Sequence, residues 1–155
     1  MHIENLKTDN CAHTTEVRVR YADTDQMGIA YYGIYLTWLE IGRTEFLRDT
    51  GLTYQEVEKF GIRLPLLETG IKYLKPAHYD DVLSIVTSLK YHRGVRVRFE
   101  YEIWQSEDML ATGFTEHVFT DTKLHPTRPP KDLTAILHKS FEKSPTFLKK
   151  GCIHD

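Results

Sequence analysis

Two aspartates one residue apart, Asp23 and Asp25, are the residues of this 155-residue chain whose types and spacing suggest chemistry. They lie in the segment YADTDQMGIAYYG, between an alternating strand pattern and a helical pattern. A carboxylate pair at such a junction is compatible with a calcium loop, a phosphate-transfer site, a helix cap or a catalytic carboxylate. The neighbouring residues decide among these four possibilities.

A calcium loop or a phosphate-transfer site is poorly supported by the surrounding residues. A calcium loop counted from Asp23 would place Met27 at its fifth position and Ile34 at its twelfth, and neither side chain offers an oxygen ligand. A phosphate-transfer pair usually closes a buried parallel strand, which is continuously apolar, whereas VRVRYADTD alternates. The sequence therefore favours neither interpretation.

Two interpretations of Asp25 remain open. As a loop or capping residue, it would accept hydrogen bonds from orphan N–H groups and offset the positive end of a helix dipole, although it stands several residues ahead of the helical pattern. As a catalytic group, it would lie beside a helix that begins near Tyr32 or Gly33, whose unpaired N–H groups could receive the oxygen of an attacked carbonyl. Gly28 and Gly33 would then let a substrate approach the backbone closely. A carboxylate and an oxyanion site are the minimum for acyl transfer.

The elements that must position these residues follow from hydrophobic periodicity. TEVRVRY alternates as a half-buried strand, and residues 33–50 carry a broad apolar stripe at helical spacing that ends at Gly51. TYQE, at residues 53–56, is a capping box that starts a short second helix. A stripe this wide predicts that the long helix is embraced by a sheet.

The rest of the chain predicts four strands and a last helix. Pro65 marks the first strand as an edge strand or a bulge, and KDLTAILHKSFEK is the final amphipathic helix. The four strand patterns are RLPLLETGIKYLKP, DDVLSIVTSLKYH, VRVRFEYEIWQ and MLATGFTEHVFTDT. This order predicts an α+β architecture, with an antiparallel sheet, a helix packed on one face and no βαβ unit.

Composition argues against several classes of protein. The chain is 41% hydrophobic and 27% charged with a net charge of −2, which gives no general reason to bind nucleic acid or an anionic membrane. The opening MHIENLKTDN has no apolar run typical of a signal peptide, and no apolar run approaches the ~18 residues of a membrane span. We therefore predict a soluble, cytoplasmic protein without stable membrane insertion.

Cysteine and histidine spacing gives no sign of a metal site. Cys11 and Cys152 are far apart in the chain and are expected to be reduced thiols, and the histidines show no metal-like grouping. We predict no cofactor and a single domain over residues 1–155, with its core at about residues 15–143.

The segment that holds the two aspartates, with the helix after it, resembles the hot-dog-fold acyl-CoA thioesterases. The most similar groups are the 4-hydroxybenzoyl-CoA thioesterase branch and the Tol-Pal-associated acyl-CoA thioesterases. These proteins carry a Y/F-x-D-x-D-x-x-G segment, then aromatic positions, then a helix with an E-x-x-R-x-E pattern, which reads here Glu40, Arg43 and Glu45. The similarity continues through GIKYLKPAHYDDVLSI and covers about residues 15–140. It implies the hot-dog fold, a curved antiparallel sheet wrapped around a long central α-helix.

The resemblance implies roles for individual residues. Asp25 would attack the thioester carbonyl as nucleophile or activate water as general base, and Tyr32 falls where the family uses a backbone N–H as oxyanion donor. Many Tol-Pal relatives have His at that position, whereas the 4-hydroxybenzoyl branch has Tyr, which leaves the substrate open. Asp23 would either raise the pKa of Asp25 or hydrogen-bond the turn, and we favour the turn.

The resemblance also bears on coenzyme A and on assembly. KYHRG places Lys90, His92 and Arg93 at a turn between two strands, where the family usually binds the nucleotide, and Lys and Arg are apt phosphate partners. The alternative is a solvated basic turn. Family members pair edge to edge with the active site at the interface, so we expect a homodimer or homotetramer, which would also protect the sheet edge.

The predicted function is hydrolysis of a small-to-medium or aromatic acyl-CoA to free acid and CoA. One alternative is hydrolysis of acyl groups on acyl carrier protein, whose acidic helix would need cations such as Lys75 near the pocket mouth. Another is a hot-dog acyl-CoA binding protein that has lost hydrolysis, against which the intact set of Asp25, Gly28 and Tyr32 argues. A hot-dog dehydratase is set aside because residues 33–50 contain no histidine.

Overall fold

The computed structural model describes residues 12–142, whose strands form a five-stranded antiparallel sheet. The elements are β1 (Ala12–Arg18), a 3₁₀ helix (Tyr21–Asp23), α1 (Ile34–Asp49), α2 (Tyr54–Lys59), β2 (Leu66–Tyr73), β3 (Val82–Arg93), β4 (Arg96–Gln105), β5 (Asp108–Val118) and α3 (Lys131–Glu142). This is the predicted order of a strand, a long helix, a short helix, four strands and a final helix, so the α+β prediction is confirmed. The predictions for Cys11 and Cys152 concern residues outside the described part of the chain, and the single-domain division stays a prediction.

The sheet has the strand order β1-β3-β4-β5-β2, so β2 is an edge strand that pairs with β5. The β2–β5 register shifts between Leu66 and Glu68, just after Pro65. A proline cannot donate to a strand ladder and is tolerated at an edge or a bulge. The structure has both features, and the interpretation of Pro65 is confirmed.

Strand β4 shows how the pattern of the sequence builds the core. Its side chains alternate between a buried row and a more exposed, charged row, as expected for a strand with one face on the core. The buried row consists of Val97, Phe99, Tyr101 and Ile103. On the opposite face, Arg96 lies 3.0 Å from Glu116 of β5.

Helix α1 packs across the inner face of the sheet. The ring of Phe46 meets Phe99 of β4 edge to face, with 5.7 Å between the centroids. Gly42 lets the helix approach β3 closely, because a Cβ at this position would lie 2.5 Å from Thr87 Oγ1 and 2.8 Å from Ile85 Cγ2. This close packing fixes the position of α1, and therefore of the turn that precedes it.

The predicted helix boundaries agree with the hydrogen bonds of the structure. Gly51 has a φ of +95° and its N–H donates to the Arg48 carbonyl, as a glycine after a helix end does. At the start of α2, the Glu56 N–H donates to Thr53 Oγ1 and the Thr53 N–H donates back to the Glu56 carboxylate, which is the predicted capping box. Within residues 12–142, no helix combines the length and the apolar character that a bilayer crossing requires.

Candidate active site

Asp23 holds the turn that leads from β1 towards α1. Its buried carboxylate accepts the Arg20 N–H (2.8 Å) and the Arg20 guanidinium (Nη2 to Oδ1, 2.8 Å). These hydrogen bonds lower the pKa of Asp23. Its carbonyl also accepts the Tyr31 N–H at 2.7 Å. Asp23 therefore hydrogen-bonds the turn, as predicted from its position.

Asp25 lies in a tight loop that orients its carboxylate. Its N–H donates to the Ile29 carbonyl (2.9 Å), its carbonyl accepts the Gly28 N–H (3.0 Å), and its Oδ1 accepts the Met27 N–H (2.8 Å). Gly28 adopts a φ of +78°, which favours glycine, and the space around it is open. Among the described residues, no protein group donates to Asp25 Oδ2. One carboxylate oxygen is thus fixed, while the other remains available to a ligand.

The turn before α1 presents backbone N–H groups. Gly33 is the residue before the first helical turn and no side chain caps it. Its missing Cβ makes room for the Tyr31 ring, since a Cβ there would lie 2.6 Å from Tyr31 Cε1. Within the described chain, the Tyr32 N–H has no acceptor, whereas the Ile34 N–H donates to the Tyr31 carbonyl at 3.0 Å. An open N–H at a helix start can stabilise an oxyanion.

Asp25 and Tyr32 line one cavity of about 340 Å³, so the structure brings together the two predicted catalytic residues. The Tyr73 hydroxyl, also in the lining, donates to the Tyr32 carbonyl at 2.8 Å. Tyr35 packs edge to face on Tyr73 with 4.9 Å between ring centroids. Burial raises the pKa of both Tyr35 and Tyr73, so their phenols are neutral at pH 7. The cavity is therefore largely apolar and aromatic around a carboxylate.

The predicted phosphate ligands lie elsewhere in the chain. The loop with Asp25 follows Arg18, which pairs with Val82 at the start of β3, whereas His92 and Arg93 end that strand. From Val82 to Arg93, β3 extends about 36 Å at the rise of an extended strand. Within a single chain, the structure does not bring this turn to the Asp25 cavity.

The basic turn has contacts of its own. Lys90 stands at a register shift between Leu89 and Tyr91. The Arg93 guanidinium lies over the Tyr91 ring, 4.6 Å from its centroid. His92 is half-buried, with Nε2 3.0 Å from the Gly94 carbonyl oxygen.

Neither hydrophobic periodicity nor sequence motifs predict the buried polar pair that lies between α1 and β5. Arg43 Nη1 lies 2.7 Å from His117 Nε2, and both side chains are buried. Burial, followed by the charge of Arg43, lowers the pKa of His117 to about 4. Neutral His117 accepts a hydrogen bond from the Arg43 guanidinium at Nε2 and donates one from Nδ1 to the Leu64 carbonyl (3.3 Å). Arg43 belongs to the E-x-x-R-x-E pattern, but the sequence offers no signal for its partner, 74 residues away.

Metal binding finds no support in the described part of the chain, where no group of three His, Cys, Asp or Glu side chains is close enough to hold an ion.

Comparisons with known proteins agree with this architecture. The Thioesterase-like superfamily matches residues 19–137. The acyl-CoA thioesterase YbgC of Haemophilus influenzae is 32% identical over 124 residues, which are 79% of this chain and 91% of that protein. The chloroplastic acyl-acyl carrier protein thioesterase ATL3 of Arabidopsis thaliana is 28% identical over 78% of this chain and 65% of that protein.

A solved structure also matches over most of the chain. The DHNA-CoA thioesterase from Staphylococcus aureus superimposes with a TM-score of 0.80 at 28% identity, over 90% of this chain and 95% of that chain. The sequence-based assignment to the hot-dog-fold acyl-CoA thioesterases is confirmed. The chain belongs to the Thioesterase-like superfamily, as a hot-dog-fold thioester hydrolase.

Proposed function

We propose that this protein hydrolyses acyl-CoA thioesters, with Asp25 as nucleophile or general base and the Tyr32 N–H as oxyanion donor. The observation that carries the proposal is that an available carboxylate oxygen and an open helix-start N–H line the same cavity. Similarity to the acyl-CoA thioesterase of Haemophilus influenzae supports the same activity.

Both roles of Asp25 give a balanced reaction. As general base, Asp25 takes a proton from water, the hydroxide oxygen adds to the thioester carbonyl, and the Tyr32 N–H stabilises the oxyanion. The tetrahedral intermediate then expels CoA thiolate, which takes the proton from Asp25 to give the thiol and restore the carboxylate. As nucleophile, Asp25 displaces CoA to form an acyl anhydride, which water hydrolyses to the acid and free Asp25.

The lining of the cavity supports a small-to-medium or aromatic acyl group. Neutral tyrosine rings, with Met27 and Pro76, offer apolar and aromatic surface, and the volume of about 340 Å³ is at the lower end of ligand pockets. The similar protein from Staphylococcus aureus is a DHNA-CoA thioesterase, which is consistent with this class.

We further propose that the active protein is a homodimer or homotetramer that pairs through β2. Two β2 edges related by a two-fold axis would run antiparallel, so the Leu66 end of one would meet the Tyr73 end of the other. The Leu66 end is also the end of the sheet at which Arg93 ends β3. Pairing would thus bring the partner's basic turn to the same end as the Asp25 cavity, where Lys90, His92 and Arg93 would bind CoA phosphates.

The second candidate is hydrolysis of acyl groups carried by acyl carrier protein. It is favoured by similarity to the Arabidopsis acyl-acyl carrier protein thioesterase. However, Lys75 at the cavity forms an ion pair with Asp108 (2.8 Å), which reduces its value as a docking cation. A third candidate is a binding protein without hydrolytic activity, which a thiol-release assay distinguishes from a thioesterase. The cytoplasmic location stays a prediction.

The test is free-thiol release from short, medium, long-chain and aromatic acyl-CoAs by wild type and Asp25→Asn. Asn keeps the size of the side chain but lacks the charge and basicity, so we expect kcat to fall by about 10²- to 10⁴-fold. Asp80→Asn is the matched control, because Asp80 is exposed and pairs with Arg18 outside the cavity. Thermal unfolding and oligomeric mass of all three proteins exclude a folding defect.

Each result has a distinct meaning. Turnover that survives Asp25→Asn contradicts the proposed role of Asp25. If wild type releases no thiol from any CoA ester, the same panel on acyl carrier protein decides between the second candidate and a binding role.

A further inference from the structure

Tyr31 directly precedes Tyr32, and its backbone is held on both sides. Its N–H donates to the Asp23 carbonyl (2.7 Å), and its carbonyl accepts the Ile34 N–H (3.0 Å). The ring turns back over Gly33, where a Cβ would lie 2.6 Å from Tyr31 Cε1. Because a side chain at position 33 would displace this ring, the segment YYG fixes where the Tyr31 ring lies.

The Tyr31 ring supports the ring of Tyr32. The two ring centroids are 4.5 Å apart and the ring planes are tilted by 43°, a separation at which aromatic rings attract each other. The Tyr32 side chain is mostly exposed, so it has room for several rotamers. The contact with Tyr31 favours one of these rotamers and holds the Tyr32 ring in place.

The supported ring belongs to the Asp25 cavity. Of the two tyrosines, only Tyr32 lines this cavity. Burial and, after it, the neighbouring Tyr32 phenol raise the pKa of Tyr73, which indicates that the Tyr32 ring lies on the Tyr73 side of the cavity. An acyl group whose carbonyl oxygen reaches the Tyr32 N–H would therefore place its first carbon atoms near the ring of the same residue.

We propose that Tyr31 is a positioning residue that acts through Tyr32, and that the pair favours an acyl group with a flat ring next to the carbonyl over a saturated one. A ring that is already held in place loses little conformational freedom when the acyl group binds. Its face can stack on a benzoyl ring, whereas a puckered cyclohexyl ring meets it with fewer atoms. The inference rests on the proposed function, because it concerns the acyl group of that reaction.

The test compares benzoyl-CoA with cyclohexanecarbonyl-CoA, whose acyl groups have the same number of carbon atoms and differ in flatness. The variants are Tyr31→Leu, which removes the aromatic face, Tyr31→Phe, which keeps it, and Tyr32→Leu, alone and combined with Tyr31→Leu. The matched control is Tyr79→Leu, because the exposed Tyr79 also contacts a second tyrosine ring (Tyr21, 5.9 Å between centroids) but lies outside the cavity. The measured quantity is the ratio of kcat/KM for benzoyl-CoA to kcat/KM for cyclohexanecarbonyl-CoA.

We expect Tyr31→Leu to lower this ratio by about fivefold relative to wild type, through a higher KM for benzoyl-CoA, with kcat changed by less than a factor of about two. Tyr31→Phe and Tyr79→Leu are expected to keep the wild-type ratio. The double variant is expected to match Tyr32→Leu, because Tyr31 has nothing to position once the Tyr32 ring is gone.

Several results would overturn the proposal. One is a wild-type ratio in Tyr31→Leu, and another is an equal loss for both esters, which a merely structural role would cause. A loss in Tyr31→Phe as large as that in Tyr31→Leu would assign the effect to the hydroxyl group instead of the ring. Additive losses in the double variant would show that Tyr31 does not act through Tyr32.

Binding measurements separate this inference from the proposed function. The thioethers S-benzyl-CoA and S-(cyclohexylmethyl)-CoA carry the same two rings but cannot be hydrolysed, and calorimetry gives their Kd values for each protein. If wild type hydrolyses neither ester, the proposed function fails, whereas a Kd preference for the benzyl thioether that falls by about fivefold in Tyr31→Leu still supports the inference. Equal Kd values for the two thioethers in wild type, or no binding of either, overturn it.

Discussion

Tyr73 acts on the candidate oxyanion site through the backbone. Its hydroxyl donates to the Tyr32 carbonyl at 2.8 Å, and that carbonyl belongs to the peptide that links Tyr32 to Gly33. The bond therefore restrains the turn that carries the Tyr32 N–H. Because burial raises the pKa of Tyr73, the hydroxyl stays protonated and remains a donor at neutral pH. We infer that Tyr73 is a positioning residue.

Removal of that hydroxyl is expected to slow turnover more than it weakens binding. For Tyr73→Phe we expect kcat to fall by about fivefold, since a neutral hydrogen bond contributes about 1 kcal/mol, with KM changed by less than a factor of about two. Tyr21→Phe is the control, because Tyr21 is 79% exposed and outside the cavity. An unchanged kcat, or a loss confined to KM, would argue against positioning.

The Arg43–His117 pair makes stability depend on pH. The pKa of His117 is about 4 in the folded protein and about 6.5 in an unfolded chain. Above pH 6.5 both states hold neutral His117, whereas between pH 6.5 and 4 only the unfolded state takes up the proton. The free energy of unfolding therefore decreases by up to about 3 kcal/mol as pH falls across this interval.

Urea unfolding at pH 7.5, 5.5 and 4.5 measures this effect. The variant His117→Gln can still accept a hydrogen bond from Arg43 but does not titrate. We therefore expect its free energy of unfolding to fall less than that of wild type between pH 6.5 and 4. Carboxylates such as Asp23, with a lowered pKa, act at lower pH. Parallel pH profiles for wild type and His117→Gln would show that His117 does not cause the dependence.

At the scale of the element, α1 reaches its position because Gly42 has no side chain. A methyl group there would lie 2.5 Å from Thr87 Oγ1 and 2.8 Å from Ile85 Cγ2. Overpacking of this kind costs about 1–3 kcal/mol, partly offset by the higher helix propensity of alanine, about 1 kcal/mol. The backbone of α1 would have to shift away from β3.

We expect Gly42→Ala to lower the free energy of unfolding and to reduce kcat, because the displaced helix carries the Tyr32 turn with it. Urea unfolding and thiol release measure the two effects. Arg48→Ala at the exposed end of α1 is the control, since it removes only a surface ion pair with Glu45. A variant as stable as wild type would show that Thr87 and Ile85 of β3 move to accommodate the added methyl group.

At the scale of the whole molecule, the exposed side chains of β2 support its pairing with a second copy. Leu66 and Leu67 are 50% and 49% exposed on this edge strand, at the register shift. Exposed apolar side chains beside unpaired strand N–H and C=O groups promote aggregation of a monomer, but they stabilise an interface between two copies.

We expect wild type to be a dimer or tetramer by light scattering, and Leu67→Asp to dissociate it to monomers with a large loss of thioesterase activity. Leu124→Asp is the control, because Leu124 is 60% exposed and lies outside β2. A monomeric wild type with full activity would contradict the proposed assembly.

Local sequence alone was enough to predict the secondary-structure elements. Strand alternation, the capping box at Thr53 and the stop at Gly51 are decided by residues a few positions apart, so hydrophobic periodicity and capping patterns along the chain reveal them. Asp25 and Tyr32 lie seven positions apart on one loop that leads into a helix, so the sequence already places them near each other, but their proposed catalytic roles come from the resemblance to a family and stay a prediction. Resemblance to a family then supplied the fold and the chemistry.

Only the tertiary structure decided which distant groups meet. The contact of Tyr73 with Tyr32, the burial of Arg43 against His117 and the approach of His138 to His92 depend on strand order and helix packing, which hydrophobic periodicity does not encode. The basic turn illustrates the difference. Its charges are plain in the sequence, but its place at the far end of β3 from Asp25 follows from the sheet register.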